Sequence, residues 1–240
     1  MRPVRAAPVA ALLLVAALLT ACGGGNKETV VVFAAASLTD AYQELAATYE
    51  ADHPDASVEL VLAGSNQLAR QILDGGPADL FAPADLTQFD TLIAGGTEVD
   101  PVEYAANVMV LAVPADNPAS ISRVADHGGA PLVAACAEGV PCGAVTRAGL
   151  AELGIELDVD TLEVDVRAVR TKLELGEVDA GFIYASDLVG TDGLMAIGEP
   201  LPVGTVYAAA LITDEPGAQE FLDLVLSGEG RAILTKWGFR

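Results

Sequence analysis

Two serines stand where a strand gives way to a helix, and both could donate a hydrogen bond to an anion. Ser37 follows the apolar run Val30 to Ala36, and Ser65 follows Val58 to Leu62. In open α/β sheets ligands bind outside the carboxyl ends of the strands, where loops lead into helix N-termini. The first turn of such a helix has unpaired N–H groups and the positive end of the macrodipole, so an anion can be held there without a cation. Each serine also has a purely structural reading. Ser37-Leu38-Thr39-Asp40 fits the S/T-x-x-D/E capping pattern, and Gly64-Ser65-Asn66 is ordinary turn chemistry. Other chemistry is sparse. The two histidines, His53 and His127, sit in His-Pro and His-Gly-Gly contexts, and no cluster with carboxylates suggests a metal centre. Ser65 lacks the glycine two positions on that a nucleophile elbow needs, which counts against an anchored phosphate- or sulfate-ester hydrolase. Arg70, Arg167 and Arg170 fall in or at the start of predicted helices, where arginine is ordinarily solvated or ion-paired. Arg167, beside Val166, is the one that could support an anion site from behind.

The elements that position these groups follow from the apolar patterning. From Thr29 onward, short apolar runs alternate with amphipathic stretches, the pattern of a mainly parallel sheet wrapped by helices. Strands are expected over 29–34, 58–62 and 79–82, with helices between them that stop at Pro54, at Asp74-Gly75-Gly76-Pro77 and at Gly95-Gly96. Leu38, Ala41, Tyr42, Leu45 and Tyr49 recur at helical spacing in the first of these helices. Residues 107–113 then form an apolar strand that leaves the first lobe. Strands of a second lobe are expected over 131–135, 164–166 and 180–184, with helices near 143–153 and 167–175. A returning strand over 206–213 and two helices within 219–237 complete the chain. A chain that crosses to a second lobe and returns leaves a cleft between the two.

The amino-terminal residues and the cysteines speak to the compartment. Arg2 and Arg5 precede an apolar run from Val9 to Leu19 that is too short to span a bilayer, and small residues lead up to Cys22. Leu19-Thr20-Ala21-Cys22 resembles the lipobox of bacterial lipoproteins, which implies a signal peptide over 1–21 and a lipid on Cys22 holding the protein to the outer side of the cell membrane. Gly23, Gly24 and Gly25 then read as a flexible tether within 22–28. Cys136 and Cys142, bracketing a turn-rich segment in a disulfide-permissive compartment, are expected to pair. The chain carries 12 basic against 34 acidic residues, and removal of Arg2 and Arg5 takes the net charge from −22 to −24. Such a charge excludes electrostatic binding of nucleic acid.

Several motifs in order carry a family resemblance. Val32-Phe33-Ala34-Ala35-Ala36-Ser37-Leu38-Thr39 resembles the first strand and loop of periplasmic molybdate-binding proteins. Gly64-Ser65-Asn66-Gln67-Leu68-Ala69-Arg70-Gln71-Ile72, Pro77-Ala78-Asp79-Leu80-Phe81, Val140-Pro141-Cys142-Gly143, Asp165-Val166-Arg167, Gly181-Phe182-Ile183-Tyr184-Ala185-Ser186-Asp187 and Trp237-Gly238-Phe239 follow. The resemblance implies a type II periplasmic-binding-protein fold, α/β, with two doubly wound lobes joined by a two-strand hinge. Lobe I would comprise 29–108 and 205–240, and lobe II 109–204. It further implies that molybdate or tungstate is held in the cleft by the hydroxyls of Ser37, Ser65 and Tyr184 and by backbone donors around Cys142 and Val166. Delivery would be to the membrane permease of an ABC importer, by a monomer without catalytic residues or a cofactor, the metal being bound only as its oxyanion. Sulfate or phosphate in the same fold is the alternative. Two positions depart from the common pattern: Cys142 stands where a small residue is usual, and Gly64-Ser65-Asn66 replaces a more serine-rich run.

Overall fold

The computed structural model describes residues 28–240. The expected signal peptide, the lipidation site Cys22 and all of the expected 22–28 tether but its last residue lie outside the described residues; that residue, Glu28, belongs to the first strand instead.

β1 (Glu28–Ala35) pairs in parallel with β2 (Ala56–Ala63) on one side and β3 (Leu80–Ala82) on the other. Its side chains alternate between two cores, as the period of two requires. Val30, Val32 and Ala34 enter one, whereas Phe33 enters the other with Val31 at its margin. The first core is closed by α1 (Thr39–Asp52), which buries Ala41, Tyr42, Leu45, Ala46 and Tyr49, the face expected from helical spacing. The second is closed by α2 (Ser65–Leu73) and α3 (Thr87–Ala94) through Leu68, Ala69, Ile72, Phe89 and Leu92. A strand covered by helices on both faces has to be apolar throughout, which is why Val-Val-Val-Phe-Ala-Ala shows no polar alternation.

β4 (Val102–Pro114) is the long crossing strand. Thirteen extended residues span roughly 40 Å, enough to serve two sheets in succession. Its first half pairs antiparallel with β9 (Gly204–Leu211), which also pairs with β3. Its second half pairs with β7 (Ala180–Tyr184) and β8 (Leu194–Ile197). β5 (Val133–Cys136) lies between β7 and β6 (Thr161–Glu163), parallel to both, so the strand order is β2-β1-β3-β9-β4-β7-β5-β6 with β8 on β4. α4 (Pro141–Glu152) and α5 (Val166–Glu174) cover this second sheet. Its core draws on residues from Met109 to Leu201, while the cores of the first sheet draw on residues to either side of that segment. α6 (Pro216–Leu226) and α7 (Gly228–Lys236) return to the first lobe, where Phe221, Val225 and Leu234 join the core around Tyr42. The carboxyl terminus is tied down by paired backbone hydrogen bonds between Arg240 and Ala106 of 2.8 and 3.0 Å.

The structure corrects three details of the expected elements. The strand expected over 164–166 lies at 161–163, and Val166 opens α5, because the Asp165 carboxylate accepts the Ala168 amide at 2.9 Å and so caps the helix. The crossing strand starts five residues before Asn107, its apolar signal interrupted by Glu103 and Asn107. β8 was not expected, and its Met195 and Ala196 are exposed.

Candidate functional site

The five residues named from the sequence all line one cavity where the two lobes meet. Ser37 lies in a 3-10 turn (Ala36–Leu38) after β1, Ser65 is the first residue of α2, and Tyr184 ends β7. Cys142 and Val166 are in the first turns of α4 and α5, with Pro141 at the start of α4. Three helix N-termini and one 3-10 turn thus converge on a cavity of about 210 Å³ lined by all five. A cavity this small suits a compact group rather than an extended organic molecule.

The hydroxyls are buried and oriented. Ser37 does not cap α1, whose N-cap Leu38 has no side-chain cap; its Oγ instead lies 2.9 Å from the hydroxyl of Tyr207 on β9. Ser65 Oγ accepts the Ala84 amide at 3.0 Å, and the Ala84 carbonyl is in turn held by the Thr205 hydroxyl. The Tyr184 hydroxyl is buried with no hydrogen-bond partner. Burial, reinforced by Tyr207, Asp85 and Asp187, pushes its pKa well above the usual tyrosine value, so it remains a proton donor.

Among the described residues, no cation lines the cavity. Its one charged lining residue is Asp165, half-buried and engaged as the cap of α5. The arginines are taken up elsewhere. Arg167 reaches across the lobes to the Asp40 carboxylate and donates from Nε to the Ala36 carbonyl at 3.3 Å, with Asp187 at 3.4 Å. Arg170 pairs with Glu174 at 2.8 Å and lies 3.7 Å from Asp40. Arg167 therefore supports the site from behind and does not enter it. Asp187 is completely buried and accepts the Tyr184 amide at 3.1 Å. Burial raises its pKa to about 7, against the opposing pull of Arg167, the Tyr184 amide and Arg170.

Cys136 and Cys142 are disulfide-bonded, with α-carbons 5.7 Å apart. The bond ties the end of β5 to the first turn of α4 and fixes the loop that presents the Cys142 amide. Gly143 completes this fit, since a β-carbon there would stand 2.0 Å from the Ala137 carbonyl oxygen. Among the described residues, no group of three or more histidine, cysteine or acidic side chains could hold a metal ion. No described helix is long and apolar enough to cross a membrane.

The sequence model of the bacterial extracellular solute-binding proteins matches residues 30–240. The chain belongs to that family. Among relatives of this solute-binding protein, a molybdate-binding protein of Mycobacterium tuberculosis is 36% identical over 214 residues, covering 86% of this chain and 82% of the relative. A Bacillus subtilis protein, whose name describes an ABC transporter substrate-binding lipoprotein, is 30% identical over 220 residues, covering 86% and 84%. The solved structure of the periplasmic molybdate-binding protein of Azotobacter vinelandii shares the fold, with a TM-score of 0.75 at 17% identity over 88% of this chain and 98% of that one.

Sequence reasoning missed the groups behind the cavity of this solute-binding protein. Tyr207 lies in the run Val206 to Thr213, which reads only as an apolar strand, and the Ala84 amide carries no side-chain signal. Asn107, whose amide donates to Ser186 at 2.7 Å, and its strand partner Thr205 are buried polar residues at the crossing point that could have been flagged.

Proposed function

We propose that this protein captures molybdate or tungstate between its lobes and delivers it to the membrane permease of an ABC importer. It acts as a monomer without catalysis, outside the membrane and held there by lipid on Cys22. The observation that carries the reading is the convergence of three buried hydroxyls and three helix N-termini on one small cavity, with no cation among the described residues that line it. A dianion loses much hydration on burial, and fixed neutral dipoles replace that shell without a buried counter-charge whose own desolvation is costly.

The polarity of the hydrogen bonds narrows the ligand class. Ser65 Oγ already accepts the Ala84 amide, so its proton is free to face the cavity. Ser37 is placed to do the same when Tyr207 donates to it. Tyr184 has a proton and no acceptor. A site made of donors favours an oxyanion that carries no proton at neutral pH, which describes molybdate, tungstate and sulfate. Phosphate, with a proton to donate, would leave one donor opposed by another. The molybdate-binding name of the Mycobacterium tuberculosis relative favours the larger ions over sulfate.

Titration calorimetry of residues 28–240 with molybdate, tungstate, sulfate and phosphate in turn tests this. Tight binding of the first two, with weaker sulfate and no phosphate, is expected. Preference for phosphate would overturn the donor argument, and preference for sulfate would move the protein to another oxyanion.

A further inference from the structure

We propose that Gly64 is a specificity-determining residue: the side chain it lacks lets the lobes approach to backbone contact and so sets the size of anion the cleft accepts. This rests on the oxyanion reading above. A β-carbon built on Gly64 would stand 2.7 Å from the carbonyl oxygen of Val164, closer than such atoms approach in proteins. Its next neighbours, Asn66 Oδ1 at 3.1 Å and Gln67 Oε1 at 3.7 Å, are ends of flexible side chains on the first turn of α2, in the same lobe. Val164 belongs to the other lobe. The backbone of Gly64 gives no separate reason for glycine, because its φ of −60° and ψ of 133° suit any residue. What excludes a side chain is the opposite lobe.

The contact sits between two donor loops. Gly64 precedes Ser65, and Val164 is two residues before Val166. The Val164 carbonyl cannot retreat on its own. Before it, the Glu163 carbonyl accepts the Ala137 amide at 2.9 Å and the Glu163 carboxylate pairs with Lys172 at 2.6 Å; after it, Asp165 caps α5. A methyl group on Gly64 would therefore part the lobes, by about 0.7 Å if its 2.7 Å approach is to relax to an ordinary 3.4 Å contact. Hydrogen bonds to one bound anion from both sides cannot all survive such a displacement, since they lengthen past about 3.5 Å. A small tetrahedron suffers more than a large one, because a large one still bridges part of the gap.

The test is a series of Gly64→Ala and Gly64→Val, with wild type as reference. Calorimetry with molybdate, displacement of molybdate by sulfate, and thermal unfolding without ligand are measured for each. The alanine variant is expected to lose roughly 10- to 150-fold in molybdate affinity, the range for a hydrogen bond to a charged group. Valine should lose more, and sulfate more than molybdate in both. The ligand-free melting temperature of the alanine variant should stay within about 3 °C, since loss of a good N-cap residue and a stiffer unfolded chain act in opposite directions. Unchanged molybdate affinity in Gly64→Ala, equal losses for the two anions, or a collapse of ligand-free stability would each overturn the proposal. Wild type that binds no oxyanion would refute the functional reading instead.

Discussion

Replacing Tyr184 by phenylalanine separates a ligand-binding hydroxyl from a structural one. The side chain is 1% exposed, its ring packs edge-on to Tyr207 at 6.3 Å, and its hydroxyl has no hydrogen-bond partner among the described residues. Phenylalanine keeps the ring and its packing, so the substitution removes one oxygen and its proton. If that proton is donated to a bound dianion, its loss costs about 1.5 to 3 kcal/mol of binding, or roughly a 10- to 150-fold rise in Kd. Stability of the ligand-free protein moves the other way or not at all. A buried hydroxyl without a partner has an unfavourable desolvation term of about 1 to 3 kcal/mol, and deleting it relieves whatever part the free protein does not satisfy with water. For a chain of this size each kcal/mol is about 2 to 4 °C. Calorimetry with molybdate and thermal unfolding without it are the two assays. A Kd within twofold of wild type would show that the hydroxyl does not touch the anion, and a ligand-free melting temperature lower by several degrees would mark it as structural.

Asp187 makes stability depend on pH. Its carboxyl is raised from 3.8 to about 7 by burial, so the stability it confers is fully present below pH 3.8 and is lost as pH rises through 7. Relative to Asp187→Asn, wild type is expected to lose up to about 4 kcal/mol between pH 4 and 8 in denaturant titrations, and parallel curves would contradict the assignment. The association rate with molybdate is expected to rise as chloride increases, because a chain of net charge −22 with only an acidic residue in the cavity lining repels a dianion until salt screens it. A rate that falls with salt in stopped-flow measurements would reveal a locally positive mouth. Reducing the Cys136–Cys142 bond is expected to lower stability by about 2 kcal/mol and to weaken binding through the freed Cys142 loop. Unaltered affinity in Cys136→Ser/Cys142→Ser would separate the loop from the site.

The lobe architecture and the residues facing the cavity were legible in the sequence; the layer behind them was not. Strands buried on both faces announce themselves as continuous apolar runs, so β1, β7 and β9 could be located to within two residues at either end. Ser65 was legible as the turn that leads from β2 into a helix, because helix openings carry local signals, whereas Val166 was reached only through the family resemblance, its position reading as the end of a strand. The same local reasoning failed at Ser37. Its fit to a capping pattern is accidental, and the contact that holds it comes from Tyr207, 170 residues away. Only the β1–β3–β9 pairing brings those two residues together. Asp187 and Arg167 illustrate the same limit, since the burial of one and the reach of the other to Asp40 depend on how the lobes meet.

The most direct test is a crystal structure of the protein grown with tungstate, with anomalous scattering used to place the metal. The account predicts one strong peak in the cavity, its oxygens within about 3.2 Å of Ser37 Oγ, Ser65 Oγ, the Tyr184 hydroxyl and the backbone nitrogens of Cys142 and Val166. A peak held by Arg167 or Arg170, or one outside this cavity, would contradict it.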